Sequence, residues 1–347
     1  MGWATSIPEK GPVNSAGPLD IASHATMLWS RYLVPSIFVI FLALFPMVFV
    51  KTAAAHPGLA PEIDEITHEL EKNPTSVELL LKRGQLYRSN KGLINSLHDL
   101  EQAAQLEPGN AEVLFQRSLT LAALGRDVEA EVGFDQFLEQ EALPGKGQGL
   151  SPVARGRDRA IAIAERAHIR ARTGRMNLAL NDYTAAIRLL PVVGLYQARG
   201  HLQENQGKLA EAAAGYREGL ARLPHAIELK KSLIRIEIAR QQYGQALQLI
   251  DEELARAHRK TAWYLRRGEV LDAMGQPDAA QVAREQALAE VNQTMGKRVT
   301  AVHRLYRAKV YLALGRVEEA KADLRLAIQM APSFAGAKDL LKKIEAS

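Results

Sequence analysis

Hydrophobic and small residues recur along this chain at helical spacing from residue 77 onward. The stretch "LLKRGQLY", residues 80–87, sets the theme. It reads as a helix although it contains Gly84, and glycine inside a helix costs about 1 kcal/mol relative to alanine. The same register returns as "FQRSLTL" from 115, "AERAHIR" from 164, "YLRRGEV" from 264 and "LYRAKVY" from 305. Twelve residues after Gly84 stands Ser96. The same step from Ser118, Ala167, Gly200, Gly268 and Ala308 reaches Ala130, Ala179, Ala212, Ala280 and Ala320. Four residues further come Leu100, Phe134, Tyr183, Tyr216 and Leu324, and Pro108, Pro191, Pro224 and Pro332 close their units. Gly125, Gly174, Gly207, Gly275 and Gly315 mark turns between paired helices.

The pattern predicts seven helix–turn–helix units starting at 77, 111, 160, 193, 227, 261 and 301. It resembles the tetratricopeptide repeat, a unit of about 34 residues with small residues at two helix contacts, a large apolar residue between them and a terminal proline. That resemblance implies an all-α, right-handed α-solenoid over 77–332. The fifth unit departs from it, with Ile234 in the small position and no closing proline. Helix axes pack about 8–10 Å apart, so small residues on one helix admit large ones from the next, and the ends of the array need caps. We place an N-terminal cap helix in 56–76 and a C-terminal cap in 333–347. Two insertions, 144–158 and 292–298, read as longer connections. A restart at Ser151-Pro152 would lengthen the first helix of the third unit.

The N-terminal region differs. After a polar extension, 1–31, residues 32–50 carry no charge, close to the roughly 20 residues that span a bilayer. Ala53 and Ala55 form a small-x-small cleavage pattern ahead of His56. Segment 32–55 is therefore a signal peptide or an uncleaved membrane anchor, with Met1 or Met27 as the start. Either reading exports the repeats and predicts a bacterial periplasmic location.

Composition narrows the chemistry. The chain is 47% apolar and 24% charged, with a net charge of +5. Its 44 basic and 39 acidic residues are interspersed rather than clustered, which argues against nucleic-acid binding. Without cysteine there are no disulfides or thiolate sites. No metalloprotease helix motif, phosphate-cradling glycine loop or nucleophile elbow is present. We expect no catalytic residue, no metal, no cofactor and no small-molecule substrate.

One arginine precedes the small residue in six units: Arg83, Arg117, Arg166, Arg199, Arg267 and Arg307. Asp99, Asp182 and Asp323 follow three of them by sixteen residues, predicting bidentate pairs across each hairpin. Arg117, Arg199 and Arg267 have Gly133, Gly215 and Ala283 at that offset, and are expected to be unpaired and open to a partner's acids. Helical spacing places Arg88, Phe115, Leu119, His168, Arg172, His201, Arg235 and Lys309 on the groove lined by first helices. Their mixed character suits an extended peptide or partner helix.

The expected function is a non-catalytic scaffold of the cell envelope that binds an unidentified protein or peptide. The alternatives are a membrane-anchored structural spacer or assembly factor, and a metal-binding protein using His168 and His201.

Overall fold

The computed structural model describes residues 58–141, 152–296 and 299–346. The extension 1–31, segment 32–55 with Ala55 and His56, and most of the loop in the first insertion lie outside these residues. Among the described residues no helix is long and apolar enough to cross a membrane.

The described residues form an all-α solenoid. Helix α1 (Ala60–Lys72) precedes seven hairpins: α2 (Val77–Ser89) with α3 (Leu93–Leu106), α4 (Ala111–Ala123) with α5 (Asp127–Glu141), α6 (Pro152–Arg172) with α7 (Met176–Leu189), α8 (Val193–Asn205) with α9 (Leu209–Arg222), α10 (Ile227–Ala239) with α11 (Tyr243–Arg256), α12 (Thr261–Ala273) with α13 (Pro277–Met295), and α14 (Ala301–Ala313) with α15 (Val317–Met330). Helix α16 (Ala335–Glu345) packs on α15. Every second helix also meets the first helix of the following hairpin, which propagates the stack.

Each hairpin turn is closed the same way. The residue at its centre is left-handed: Lys91, Gly125, Gly174, Gly207, Gln241, Gly275 and Gly315. The next backbone N–H then reaches back five residues, as from Arg126 to the Leu121 carbonyl at 2.9 Å and from Gln242 to the Glu237 carbonyl at 2.7 Å. This is the Schellman closure, which satisfies carbonyls that a helix end leaves open. Where a proline closes a unit, the second helix stops two residues short of it, at Leu106, Leu189, Arg222 and Met330. The sixth unit lacks that proline, and α13 runs on to Met295. The second insertion, expected as a connection, is thus largely a helical extension.

Close packing within hairpins accounts for the helix-interior glycines. A Cβ on Gly84 would lie 2.9 Å from the Leu100 side chain, and one on Gly200 2.3 Å from the Tyr216 ring. Both partners are fully buried. The fifth hairpin solves the problem differently. Ile234 and Ile250 are both fully buried within one cluster with Ala246 and Trp263. The hairpin also buries a Lys230–Glu253 ion pair at 2.7 Å.

Two substitutions should therefore act with opposite sign. Gly200→Ala must displace a buried tyrosine, an overpacking cost of about 1–3 kcal/mol that exceeds the gain in helix propensity. Gln241→Gly relieves a left-handed conformation costing about 1–2 kcal/mol, partly offset by glycine's entropy, for a net gain of about 0.5–1 kcal/mol. Urea denaturation should show a lowered midpoint for the first and a raised midpoint for the second.

Candidate interaction surface

The three predicted hairpin pairs form as bidentate contacts. Arg83 donates through Nε and Nη2 to Asp99 at 2.8 and 2.7 Å. Arg166 meets Asp182 at 2.9 and 2.7 Å, and Arg307 meets Asp323 at 2.6 and 2.9 Å. All three aspartates are buried. Arg83 also donates to Thr67 on α1, tying that helix to the first hairpin. Hydrogen bonding to Asp99 raises the Arg83 pKa against the opposing effect of burial.

Arg117, Arg199 and Arg267 are not an unpaired set, and that expectation is corrected. Arg267 reaches Asp251 on α11 at 3.1 Å and Arg117 lies 3.6 Å from Glu101 on α3, each sixteen residues back rather than forward. Arg199 meets Glu218 on α9 at 2.7 Å. The reason is geometric. A first helix packs between the second helix of its own hairpin and that of the preceding one, so an acid on either satisfies it. The small residue at the expected acid position also makes room: a Cβ on Gly215 would lie 3.2 Å from the Arg199 guanidinium. Arg199, only 9% exposed, is enclosed within the stack.

The groove residues divide in three. Phe115 is a core residue, 3% exposed and stacked on Phe137 at 5.0 Å between ring centroids. Its inclusion in the groove is corrected, because α4 turns this ring toward α5. Leu119 is half-buried against the same core. Arg88 and Arg172 are engaged, Arg88 with Gln116 and Arg172 with Asp127, the latter donating through Nε at 2.7 Å. Burial lowers the Arg88 pKa, and its Nε lacks a hydrogen-bond partner. His168, His201, Arg235 and Lys309 occupy equivalent places on α6, α8, α10 and α14 with solvent access. His168 sets its ring edgewise to Tyr183 at 5.3 Å. His201 lies 3.7 Å from Glu204, which also accepts bidentate hydrogen bonds from Arg235 at 2.6 and 2.9 Å and one from the Tyr216 hydroxyl at 2.7 Å. Burial, and next that bond to Glu204, push the Tyr216 pKa upward. Among the described residues no group of three or more histidines and carboxylates is arranged to hold a metal ion.

One feature escaped the sequence reading: a charge ladder across the first insertion. Asp127, Glu131 and Asp135, four residues apart along α5, face Arg172, Arg170 and Arg166 on α6. Arg175 adds a second guanidinium to Glu131. The spacing of four along α5, and between Arg166 and Arg170 on α6, was visible, but which helices adjoin across the insertion was not in the spacing. Burial works against the Glu131 carboxylate, yet hydrogen bonds from Arg175 and then Arg170 outweigh it and hold its pKa below the ordinary value.

Two measurements follow. Removing one partner of a buried pair costs about 3–5 kcal/mol, because the other charge stays buried. Asp99→Ala should therefore destabilise strongly, and a double-mutant cycle with Arg83→Ala should show coupling above about 1 kcal/mol; additivity would contradict the pairing. For Glu131 the folded pKa is depressed. Its stabilisation is thus full above the unfolded value of about 4.3 and is lost as pH falls through the folded value. Melting temperatures measured from pH 6 down to 3 should fall more steeply for the wild type than for Glu131→Gln.

The tetratricopeptide-repeat family model matches residues 307–334. A search of curated proteins finds no match. Among solved structures, the C-terminal part of a TPR repeat-containing protein from Cytophaga hutchinsonii is 14% identical, with 75% of this chain and 98% of that one covered and a TM-score of 0.51. A tetratricopeptide repeat protein from Parabacteroides merdae is 19% identical over 78% and 98% of the two chains, with a TM-score of 0.45. YrrB, a TPR protein with an unusual peptide-binding site, is 15% identical over 64% and 99%, with a TM-score of 0.42. Hairpin packing, repeat match and structural likeness agree: the fold of this chain is tetratricopeptide-like.

Proposed function

We propose that the chain is a non-catalytic interaction scaffold that binds a polypeptide along the face lined by its first helices. The observation that carries this reading is the row of equivalent positions Gln85, Leu119, His168, His201, Arg235, Glu269 and Lys309. Each is half-buried or exposed, one per hairpin. Polar contacts cross between adjoining hairpins here, as Gln85 to Glu112 at 3.2 Å and Arg235 to Glu204. The row therefore belongs to one surface. Its chemistry changes from one hairpin to the next, which suits a ligand read in sequence along its length. Repeat stacks of this kind present extended surfaces rather than enclosed reaction sites. The uncharged segment 32–50 and the small-x-small pattern before His56 support export to the bacterial envelope, as a soluble periplasmic protein or an inner-membrane-anchored one.

Affinity capture from envelope fractions, with mass spectrometry of the bound proteins, tests the scaffold. The expected result is one or a few polypeptides enriched over control resin. Lys309→Glu, at an exposed position, should reduce that enrichment several-fold without changing the thermal melt. Absence of enrichment with the wild-type chain would overturn the reading. Sequencing the N-terminus of the mature chain distinguishes release, with a start at His56, from retention of 32–50 as an anchor.

A further inference from the structure

The extension of α13 builds a cavity that the repeat pattern by itself does not contain. Val291 and Thr294 from that extension meet Ile227 and Lys231 of α10, Thr261, Ala262 and Trp263 of α12, and Val302 and Tyr306 of α14, around a volume of about 200 Å³. Ile227, Val302 and Tyr306 are among the exposed large hydrophobic residues of the molecule. An apolar cavity of about 150 Å³ holds a benzene ring, so this one admits a single aromatic or large aliphatic side chain.

Its rim is cationic. Lys231 and Arg259 line it beside the imidazole of His303, and no carboxylate does. Lys231 shares its charge with Glu228 at 2.8 Å. Arg259 has no ion-pair partner among the described residues. Lys309 lies over the Tyr306 ring at 5.5 Å, extending the positive strip along α14. An apolar hole bordered by such a rim favours an apolar anchor flanked by negative charge, since the low-dielectric wall strengthens the attraction.

We propose that this cavity docks the aromatic or large aliphatic side chain of an acidic polypeptide segment. The inference rests on the scaffold reading and gives the partner a chemical class. The α13 extension supplies one wall, so the site is a property of this chain's sixth hairpin and not of every repeat.

The test uses the full chain and fluorescein-labelled nonapeptides. One consists of aspartate and glutamate around a central phenylalanine–leucine pair; a second replaces that pair with serines; a third replaces the acids with lysine. The first should bind at least tenfold more tightly than the other two. Its affinity should fall at least tenfold in Ala262→Trp, which fills the cavity, and in Arg259→Glu. Hydrogen exchange should slow at 259–264 and 291–295 when it binds. Thr294→Trp, filling the cavity from the opposite wall, serves if Ala262→Trp does not fold by circular dichroism. Several results would overturn the proposal: no preference for the acidic phenylalanine–leucine peptide, affinity unchanged in the filled variants, or binding of dodecanoate in place of any peptide. Envelope capture separates the two claims. Capture by the wild-type chain with any of those results removes the cavity proposal alone, whereas no capture removes the scaffold reading.

Discussion

The structure depends on how closely two helices of a hairpin can approach. A first helix must offer a gap where its partner's large side chain enters. At Gly84 and Gly200 that gap is the missing side chain itself, filled by Leu100 and Tyr216. The cost of glycine in a helix is local, whereas the packing it permits exists only in the folded stack. That one contact, repeated, fixes the hairpin geometry and hence the side each first helix presents outward. The fifth hairpin shows the limit of the rule. With Ile234 in the gap position, the pair still forms around two buried isoleucines. Volume can be redistributed within the core provided it remains filled.

Electrostatics then consolidate the stack. Buried aspartates anchor arginines within hairpins; where the expected position holds a small residue, Glu101 and Asp251 of the preceding hairpin serve Arg117 and Arg267, and Glu218 of its own hairpin serves Arg199. Each buried charge is costly unless met by opposite charge with hydrogen bonds. The stack meets that demand from either neighbour. One consequence is functional: guanidiniums that looked available along the first helices are already occupied. In the proposed scaffold, recognition would fall to the remaining solvent-accessible positions, and to places such as the α13 extension where the repeat is broken. Irregularity in a repetitive array creates a surface that the other units lack.

Much of this was legible in the chain. The starts of six first helices coincide with the starts read from the repeats; the third begins at Pro152, at the restart signalled by Ser151-Pro152. The Arg–Asp pairs were readable because both members sit at fixed offsets within one hairpin. Phe115 was misread because the equivalent position is exposed at Lys231 but buried at Ala164 and Leu305, and only the structure shows its ring stacked on Phe137. The charge ladder and the partners of Arg117, Arg199 and Arg267 were hidden for a related reason. The ladder crosses an insertion, Arg117 and Arg267 reach backward to a preceding helix, and Arg199 meets Glu218 nineteen residues on rather than sixteen, so the sixteen-residue offset carries no information about them.

The sequence by itself determined the period of the array, the turn positions, the helices that close on prolines and the pairs within hairpins. These are local properties, set by steric size, backbone conformation and charge at separations of fewer than twenty residues. Only the tertiary structure decided which acid satisfies each remaining arginine, which groove positions stay open to solvent, and that α13 runs on to wall a cavity. Those outcomes depend on three or more helices meeting at once. Burial and electrostatic pairing are shared among all of them, and no single segment of chain contains that sum.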